Sequence, residues 1–502
     1  MRILYIDIDS LRPDHLGCYG YHRDTSPNID SIARESMIFT GCYTPDAPCM
    51  PSRTAFYSGR FGIQTGVVGH GGTGADPKPQ GVSRSFDDQF GAYGLGRQLQ
   101  NLGFHTAMIS PFGQRHSAHW FYAGFNEIHN TGLGGMESAE QVLPVIKEWL
   151  LKNQEQDNWF LHINLWDPHT PYRVPEHFGN PFEKTPLPDW LQDPSALERH
   201  QKMVGPHSAL DVGMYNGEED PNHPRQPGSL TCESQLRRLI DGYDTGVLYA
   251  DDAVGQIIQN LKDAGLYEET AIIVSSDHGE NLGELGIYAE HGTADEITCK
   301  VPMIIKWPGG HTGINSKLHY NLDLAPTLMD LLGGETQEIW DGQSFAAAIV
   351  SGDSNSGREE VALSQCAHVA QRSIRWADWL YLRTYHDGFH LFPQEMLFNL
   401  KEDPYEQNDL AATSPEICKE GAWRLMRWHD AQMQKMAEFA SDSVDPLWTV
   451  VREGGPFHAR PISPGHPGSK EALRAYFDRL ENTGRSEGAA KLRERHAARI
   501  SE

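Results

Sequence analysis

Strand-length apolar segments that end in charged residues recur along this chain, and that recurrence constrains its fold more than any other feature. "ILYIDID" (3–9) ends in Asp7 and Asp9, and "TAMIS" (106–110) runs into "PFGQRHSAHW". "WFLHINLWDPH" (159–169) ends in Asp167 and His169, and "TAIIVSSDHGE" (270–280) in Asp277, His278 and Glu280. "VPMIIKW" (301–307) stops at "PGG". A period of two puts Asp7 and Asp9 on one side of their strand. Between such segments lie helical patterns. In "YADDAVGQIIQNLKDAG" (249–265), Ala253, Ile257, Ile258 and Leu261 share a face. Strands alternating with helices predict an α/β fold with a large, mixed, mostly parallel sheet flanked by helices. Ligands of such sheets gather at the C-terminal strand ends, where the charges fall here.

After about residue 362 the texture changes. "SIRWADWLYLRTY" (373–385) and "EMLFNLKEDPYEQNDLA" (395–411) read as strands joined by turns, and "WRLMRWHDAQMQKMAEFA" (423–440) as a helix. "RPISPGHPGSK" (460–470) then leads into a polar helical tail. The expected division is a catalytic α/β domain over 1–362 and a smaller α+β domain over 363–502. A chain of 502 residues, 39% of them hydrophobic, can bury cores of that size.

The net charge of −26 argues against nucleic acid as a partner, and an anionic substrate would need a local cationic pocket. The N-terminus carries Asp7 and Asp9 within its short apolar stretch, which is not the pattern of a signal peptide or membrane helix, and no run of 18 apolar residues occurs. The chain as sequenced therefore reads as cytoplasmic and off the membrane, or as periplasmic or secreted if a leader was removed. Its seven cysteines, at 18, 42, 49, 232, 299, 366 and 418, are odd in number and scattered, so they predict buried thiols rather than a disulfide framework. Cys49, held between Pro48 and Pro51, stays open at this point.

Asp7, Asp9, Asp277 and His278 would all meet at strand ends of one sheet. Carboxylates brought together there repel one another unless a cation lies between them. Oxygen donors suit Ca²⁺ or Mg²⁺, and the imidazole leaves Mn²⁺ or Zn²⁺ open. Arg53, Arg115, His116, His169, His291 and Lys306 also fall near predicted strand ends. Together they suggest an anion pocket for a sulfate, phosphate or phosphonate group, with fixed positive groups opposite the charge that develops in transfer. Lys306, inside its strand, reads equally well as a packing lysine.

The motifs "CMPSR" (49–53), "DIDSLRPDHLGCYG" (7–20), "DPHTPY" (167–172) and "SSDHGE" (275–280), in that setting, carry a family resemblance. "TSPNIDSIARESMIFTGCY" (25–43) and "VPMIIKWPG" (301–309) strengthen it. The chain resembles the formylglycine-dependent, type I sulfatases of the alkaline-phosphatase-like superfamily, and among them the bacterial carbohydrate sulfatases more than the aryl or choline ones. The match runs over about residues 3–335 and continues loosely through "LFNLKEDPYEQNDLA" (397–411).

The resemblance implies that Cys49 is oxidised after synthesis to Cα-formylglycine by a formylglycine-generating or anaerobic sulfatase-maturating enzyme. Its hydrated aldehyde is then the nucleophile, and the second hydroxyl lets the sulfated intermediate collapse. Pro51 and Arg53 belong to the modification signal, and Arg53 also steadies the diol. Asp9, Asp277 and His278 are implied metal ligands together with residue 49, and Asp7 is offered as the fourth carboxylate because Ser10 stands where the family has a second aspartate. His169 matches the histidine at the leaving oxygen and is the first choice as general acid, His116 orients the diol, and Arg115 takes the place of a lysine. His291 stands nearest to a lysine that this chain lacks, and binds sulfate or protonates the leaving group. The implied reaction is hydrolysis of a sulfuric ester on a mono- or oligosaccharide by an exo-acting O-sulfatase. Asp277-His278, where the family often has Asp-Asn, keeps a phosphonate monoester or phosphodiester hydrolase as an alternative. A catalytically silent binding homologue is the other.

Overall fold

The computed structural model describes residues 1–78, 88–205, 207, 211, 220–439, 442–456, 470–497 and 500. The Pro/Gly/His stretch at 460–469 lies outside the described residues.

The strands, in chain order, are β1 (Arg2–Ile8), β2 (Met37–Tyr43), β3 (Asp46–Ala47), β4 (His105–Ile109), β5 (Glu127–His129), β6 (Trp159–Leu165) and β7 (Thr270–Ser275). They continue with β8 (Asn281–Leu282), β9 (Tyr288–Glu290), β10 (Met303–Lys306), β11 (Gly313–Tyr320), β12 (Glu360–Gln365), β13 (Ala370–Trp376), β14 (Trp379–His386) and β15 (Glu395–Asn399). The main sheet has eight strands in the order β11-β2-β10-β7-β1-β6-β4-β5. All neighbours run parallel except β10, which is antiparallel to both β2 and β7. The expected mixed, mostly parallel sheet is therefore present.

β1 lies at its centre, and every residue of the strand is buried. A strand covered on both faces is apolar along most of its length, which is why Ile3–Ile6 read as an unbroken run. Leu4, Ile6 and Ile8 join one core with helices α2 (Ala139–Asn153) and α3 (Glu233–Asp263). Ile3 and Tyr5 join the core on the other face, beneath helix α1 (Cys49–Ser58). Asp7 follows Tyr5 on that second side.

α3 begins some sixteen residues before the pattern that predicted it. Its first half buries Asp241, Asp244 and Thr245 among the apolar positions, which hides the helical period. Asp244 is spent on structure: it takes His15 Nδ1 at 2.6 Å, the Tyr21 hydroxyl at 2.7 Å and Arg23 at 2.9 Å.

The second sheet runs β15-β14-β13-β12-β3. Its last member, Asp46–Ala47, comes from the N-terminal part of the chain and pairs in parallel with Ser364 and Gln365. The edge of the second sheet thus fixes the two residues that lead into Pro48 and α1. The helix α4 (Pro415–Phe439) packs on β13 and β14. Among the described residues no helix is long and apolar enough to cross a membrane. All seven cysteines are free, and Cys232 alone is exposed.

Candidate active site and metal centre

The site is built on the first turn of α1. Cys49 is the first helical residue, and Pro51 lies where the N–H has no intrahelical partner to lose. Ser52 and Arg53 follow at i+3 and i+4, so they share the face of Cys49. The helix stops at Gly59, whose φ of 66° is left-handed; a Cβ there would lie 2.7 Å from the Trp340 indole. All ten residues of α1 are buried.

Ligand atoms of Asp9, Cys49, Asp277 and His278 all lie within 4.8 Å of one another. A second group, Cys49, His169 and His291, meets the same limit, so Cys49 belongs to both. Cys49 Sγ is 3.1 Å from His278 Nε2. His278 Nδ1 faces the Gly279 carbonyl at 2.8 Å, so it carries the proton and Nε2 keeps its lone pair for the cluster. Burial, helped by His291, pushes the His278 pKa down to about 3, so the ring is neutral.

Arg53 stands among three carboxylates. Its Nε donates to Asp7 at 2.7 Å, Nη2 meets Asp9 at 3.0 Å and Nη1 meets Asp277 at 2.8 Å. Its guanidinium centre lies 4.4 Å from the Phe112 ring centroid and 5.6 Å from that of Trp166. Burial works against charge on Asp9, but Arg53 above all outweighs it and holds the carboxyl well below its ordinary range. For Asp277 burial wins, and Asp9 and Asp7 add to it, so this carboxyl is pushed up. A cation between Asp9 and Asp277 would relieve that conflict. Two buried carboxylates, a neutral imidazole and the atom of residue 49 make a donor set that fits a divalent cation.

Ser10, at the position of the missing aspartate, acts as an orienting residue. Its φ is 60°, its N–H donates to Asp277 Oδ1 at 3.2 Å, and its hydroxyl donates to Asp9 Oδ1 at 3.1 Å. Asp7 lies outside the group of four and is held instead by Arg53 and by His162 Nε2 at 3.2 Å.

On the other side of Cys49, His169 and His291 lie with ring centroids 5.2 Å apart. His169 Nδ1 is bound to the Thr170 carbonyl, and burial holds this ring neutral. His291 stacks on His278 at 4.4 Å, with its Nδ1 3.7 Å from Glu280 Oε2. Burial works against charging His291, but Glu280 outweighs it and raises the pKa. Arg115 donates to the carbonyls of Gly134 and Gly135 at 3.1 and 3.2 Å and lies 5.1 Å from the Trp166 ring. His116 packs on Phe112 and His70. Lys306 is away from this cluster, donating to the Tyr267 carbonyl at 3.0 Å.

Three further contributors were not among the expected site residues. His70 Nε2 accepts from the Met50 N–H at 3.2 Å, and Ser52 Oγ donates to the Asp277 carbonyl at 2.6 Å. Glu280 takes the Tyr172 hydroxyl at 2.6 Å while facing His291. The last could have been read from "DHGE" and "DPHTPY" together, since both end at strand termini of one sheet.

The Sulfatase family model matches residues 2–334. This chain belongs to the sulfatase family. It is a sulfuric ester hydrolase with the alkaline-phosphatase-like fold. It is 23% identical over 522 residues to a choline-sulfatase of Rhizobium meliloti (strain 1021), covering 92% of this chain and 93% of that one. It is 22% identical over 532 residues to an N-acetylglucosamine-6-O-sulfatase of Bacteroides thetaiotaomicron, covering 90% and 89%. Among solved structures it is similar to a phosphonate monoester hydrolase of Agrobacterium radiobacter, with a TM-score of 0.66, 20% identity and coverage of 86% and 96%.

Proposed function

We propose that Cys49 is the precursor of a Cα-formylglycine, and that this sulfatase removes sulfate from a sulfated carbohydrate at a chain end. The observation that supports this most is that Cys49 belongs to two groups at once, one of cation ligands and one of two histidines. In this reading Asp9, Asp277 and His278, with residue 49, hold Ca²⁺, Mn²⁺ or Zn²⁺. Bound there, the cation would supply the acidification that makes a hydroxyl of the hydrated aldehyde nucleophilic at neutral pH.

The chain's own residues do the rest. Arg53 and Arg115 offset the negative charge of the sulfuryl group as it is transferred. His291, whose pKa Glu280 raises against the effect of burial, gives a proton to the ester oxygen as the S–O bond breaks. His169, neutral and fixed through Nδ1, orients that same oxygen. His116, beside His70 at the first turn of α1, orients residue 49. Because the "CMPSR" turn is wholly buried, the maturation enzyme must reach it before folding is complete.

Polar groups around the site support a saccharide. The second sheet brings His368, paired with Glu290, to a ring distance of 6.1 Å from His291. That places polar groups beside the reacting centre, where a sugar's hydroxyls would lie. Cys49, His169 and His291 are at most 3% exposed, which suits a chain end rather than the middle of a polymer. The N-acetylglucosamine-6-O-sulfatase relative supports the same class. The test is sulfate release from defined sulfated mono- and oligosaccharides by matured protein, with Cys49→Ala as control. Release from internal units of long chains, or none from any saccharide, would overturn the substrate reading.

His278 and the similarity to a phosphonate monoester hydrolase support a second reading, hydrolysis of phosphonate monoesters or phosphodiesters. Comparing kcat/KM for a sulfate ester and a phosphonate ester on one leaving group decides between them.

A further inference from the structure

We infer that Asp7 is a positioning residue that holds Arg53 beside residue 49, and that it is not a ligand of the cation. The inference rests on the reading of Cys49 given above.

The three nitrogens of the Arg53 guanidinium each meet a different carboxylate. Two of those, Asp9 and Asp277, are within the four-residue ligand group, and Asp7, among the described residues, is not. Asp7 is instead gripped from behind. His162 Nε2 lies 3.2 Å from Asp7 Oδ2, and the Tyr57 hydroxyl closes on His162 Nδ1. Tyr57 and Arg53 are four residues apart on α1, so they share a helix face. The contacts therefore form a ring, from Arg53 to Asp7 to His162 to Tyr57 and back along the helix. Asn164, beside Asp7 in the strand register, donates from Nδ2 to the Asp7 carbonyl at 3.1 Å. Tyr5 packs on His162 and Phe56, with centroids 5.0 and 4.8 Å away.

This arrangement has an electrostatic consequence. A cation that takes Asp9 and Asp277 competes with the Nη1 and Nη2 of Arg53 for the same oxygens. It also repels the guanidinium, because two like charges a few ångströms apart in a buried site interact strongly. The Nε contact to Asp7 is the one that survives. Asp7 then offsets the Arg53 charge and keeps the guanidinium against Phe112 and Trp166, on the first turns of the helix that carries residue 49. Outer partners of this kind fix where an inner group points without touching the substrate.

The test compares Asp7→Asn with Asp9→Asn in matured protein, using Mn²⁺ or Ca²⁺ as the probe. Asp7→Asn should bind the cation with the wild-type stoichiometry, whereas Asp9→Asn should lose it. After correction for the fraction of chains modified at residue 49, Asp7→Asn should lower kcat by about 10- to 100-fold. KM should stay within roughly threefold, since the ground-state contacts remain. Asp7→Glu should restore part of kcat, and His162→Gln should lower it in the same direction. Loss of stoichiometric cation in Asp7→Asn would overturn the inference, as would an unchanged kcat. If Asp7→Asn fails to fold, His162→Gln provides the same split between cation binding and kcat. The cation comparison stands even if the wild-type protein releases no sulfate, so failure of the Cys49 reading is told apart from failure of this one.

Discussion

Glu280 Oε2 faces His291 Nδ1 at 3.7 Å while Tyr172 holds the other Glu280 oxygen at 2.6 Å. The carboxylate is thus fixed against one nitrogen of a histidine that stacks on His278 and lies beside Cys49. It is the main favourable cause of the raised His291 pKa.

Glu280→Gln removes that cause, so the protonated form of His291 is lost at a lower pH than in the wild type. The alkaline limb of the kcat/KM profile should move toward acid, and kcat/KM at neutral pH should fall by on the order of 10-fold. A pH–rate profile with an unmoved alkaline limb would show that His291 is not the proton donor.

The cation should bind the folded state alone, since its ligands come from α1 and from the residues just past the ends of β1 and β7. Chelation should therefore lower Tm. Restoring Mn²⁺ or Ca²⁺ at a hundredfold excess over Kd should add about 2.7 kcal/mol. Asp277→Asn should abolish that gain, which thermal melts with and without chelator will show.

Much of this was legible in the sequence. The charged strand ends marked Asp9, Asp277, His278 and His169, because an apolar strand that ends in a carboxylate places it at the sheet's ligand-binding edge. The main sheet followed from the same runs. What did not show was pairing across long distances. His162 lies inside an apolar strand and Tyr57 inside a buried helix, so neither stood out from core residues. The junction of β3 with β12 joins residues more than 300 positions apart through two short pairings, which no local pattern encodes. Asp7 shares a side with Asp9, as alternation requires, yet lies one strand step deeper, where Arg53 and His162 take its oxygen.

Three buried histidines outside the site predict acid sensitivity. Burial pushes the pKa values of His207, His319 and His390 from 6.5 down to about 4. The unfolded chain takes up their protons first as pH falls, so the stability they confer is complete above 6.5 and is lost progressively toward 4. The loss is at most about 3 kcal/mol for each. Denaturant midpoints measured across that range should fall, and His319→Gln should reduce the slope.

The second sheet contains a buried ion pair. Arg372 Nη1 and Nη2 each meet an Asp445 oxygen at 2.7 Å. Asp445→Ala leaves a buried guanidinium without its partner and should cost about 3–5 kcal/mol. Equilibrium unfolding that shows a loss well under 1 kcal/mol would mean that water reaches Arg372.

Residue 49 is expected to react only after its thiol has been replaced by an aldehyde. The most direct measurement is peptide mass spectrometry at residue 49 on samples matured to different extents, each assayed for sulfate release. Activity should rise in proportion to the fraction of formylglycine and vanish in Cys49→Ala. Full activity in chains that retain an unmodified Cys49 would contradict it.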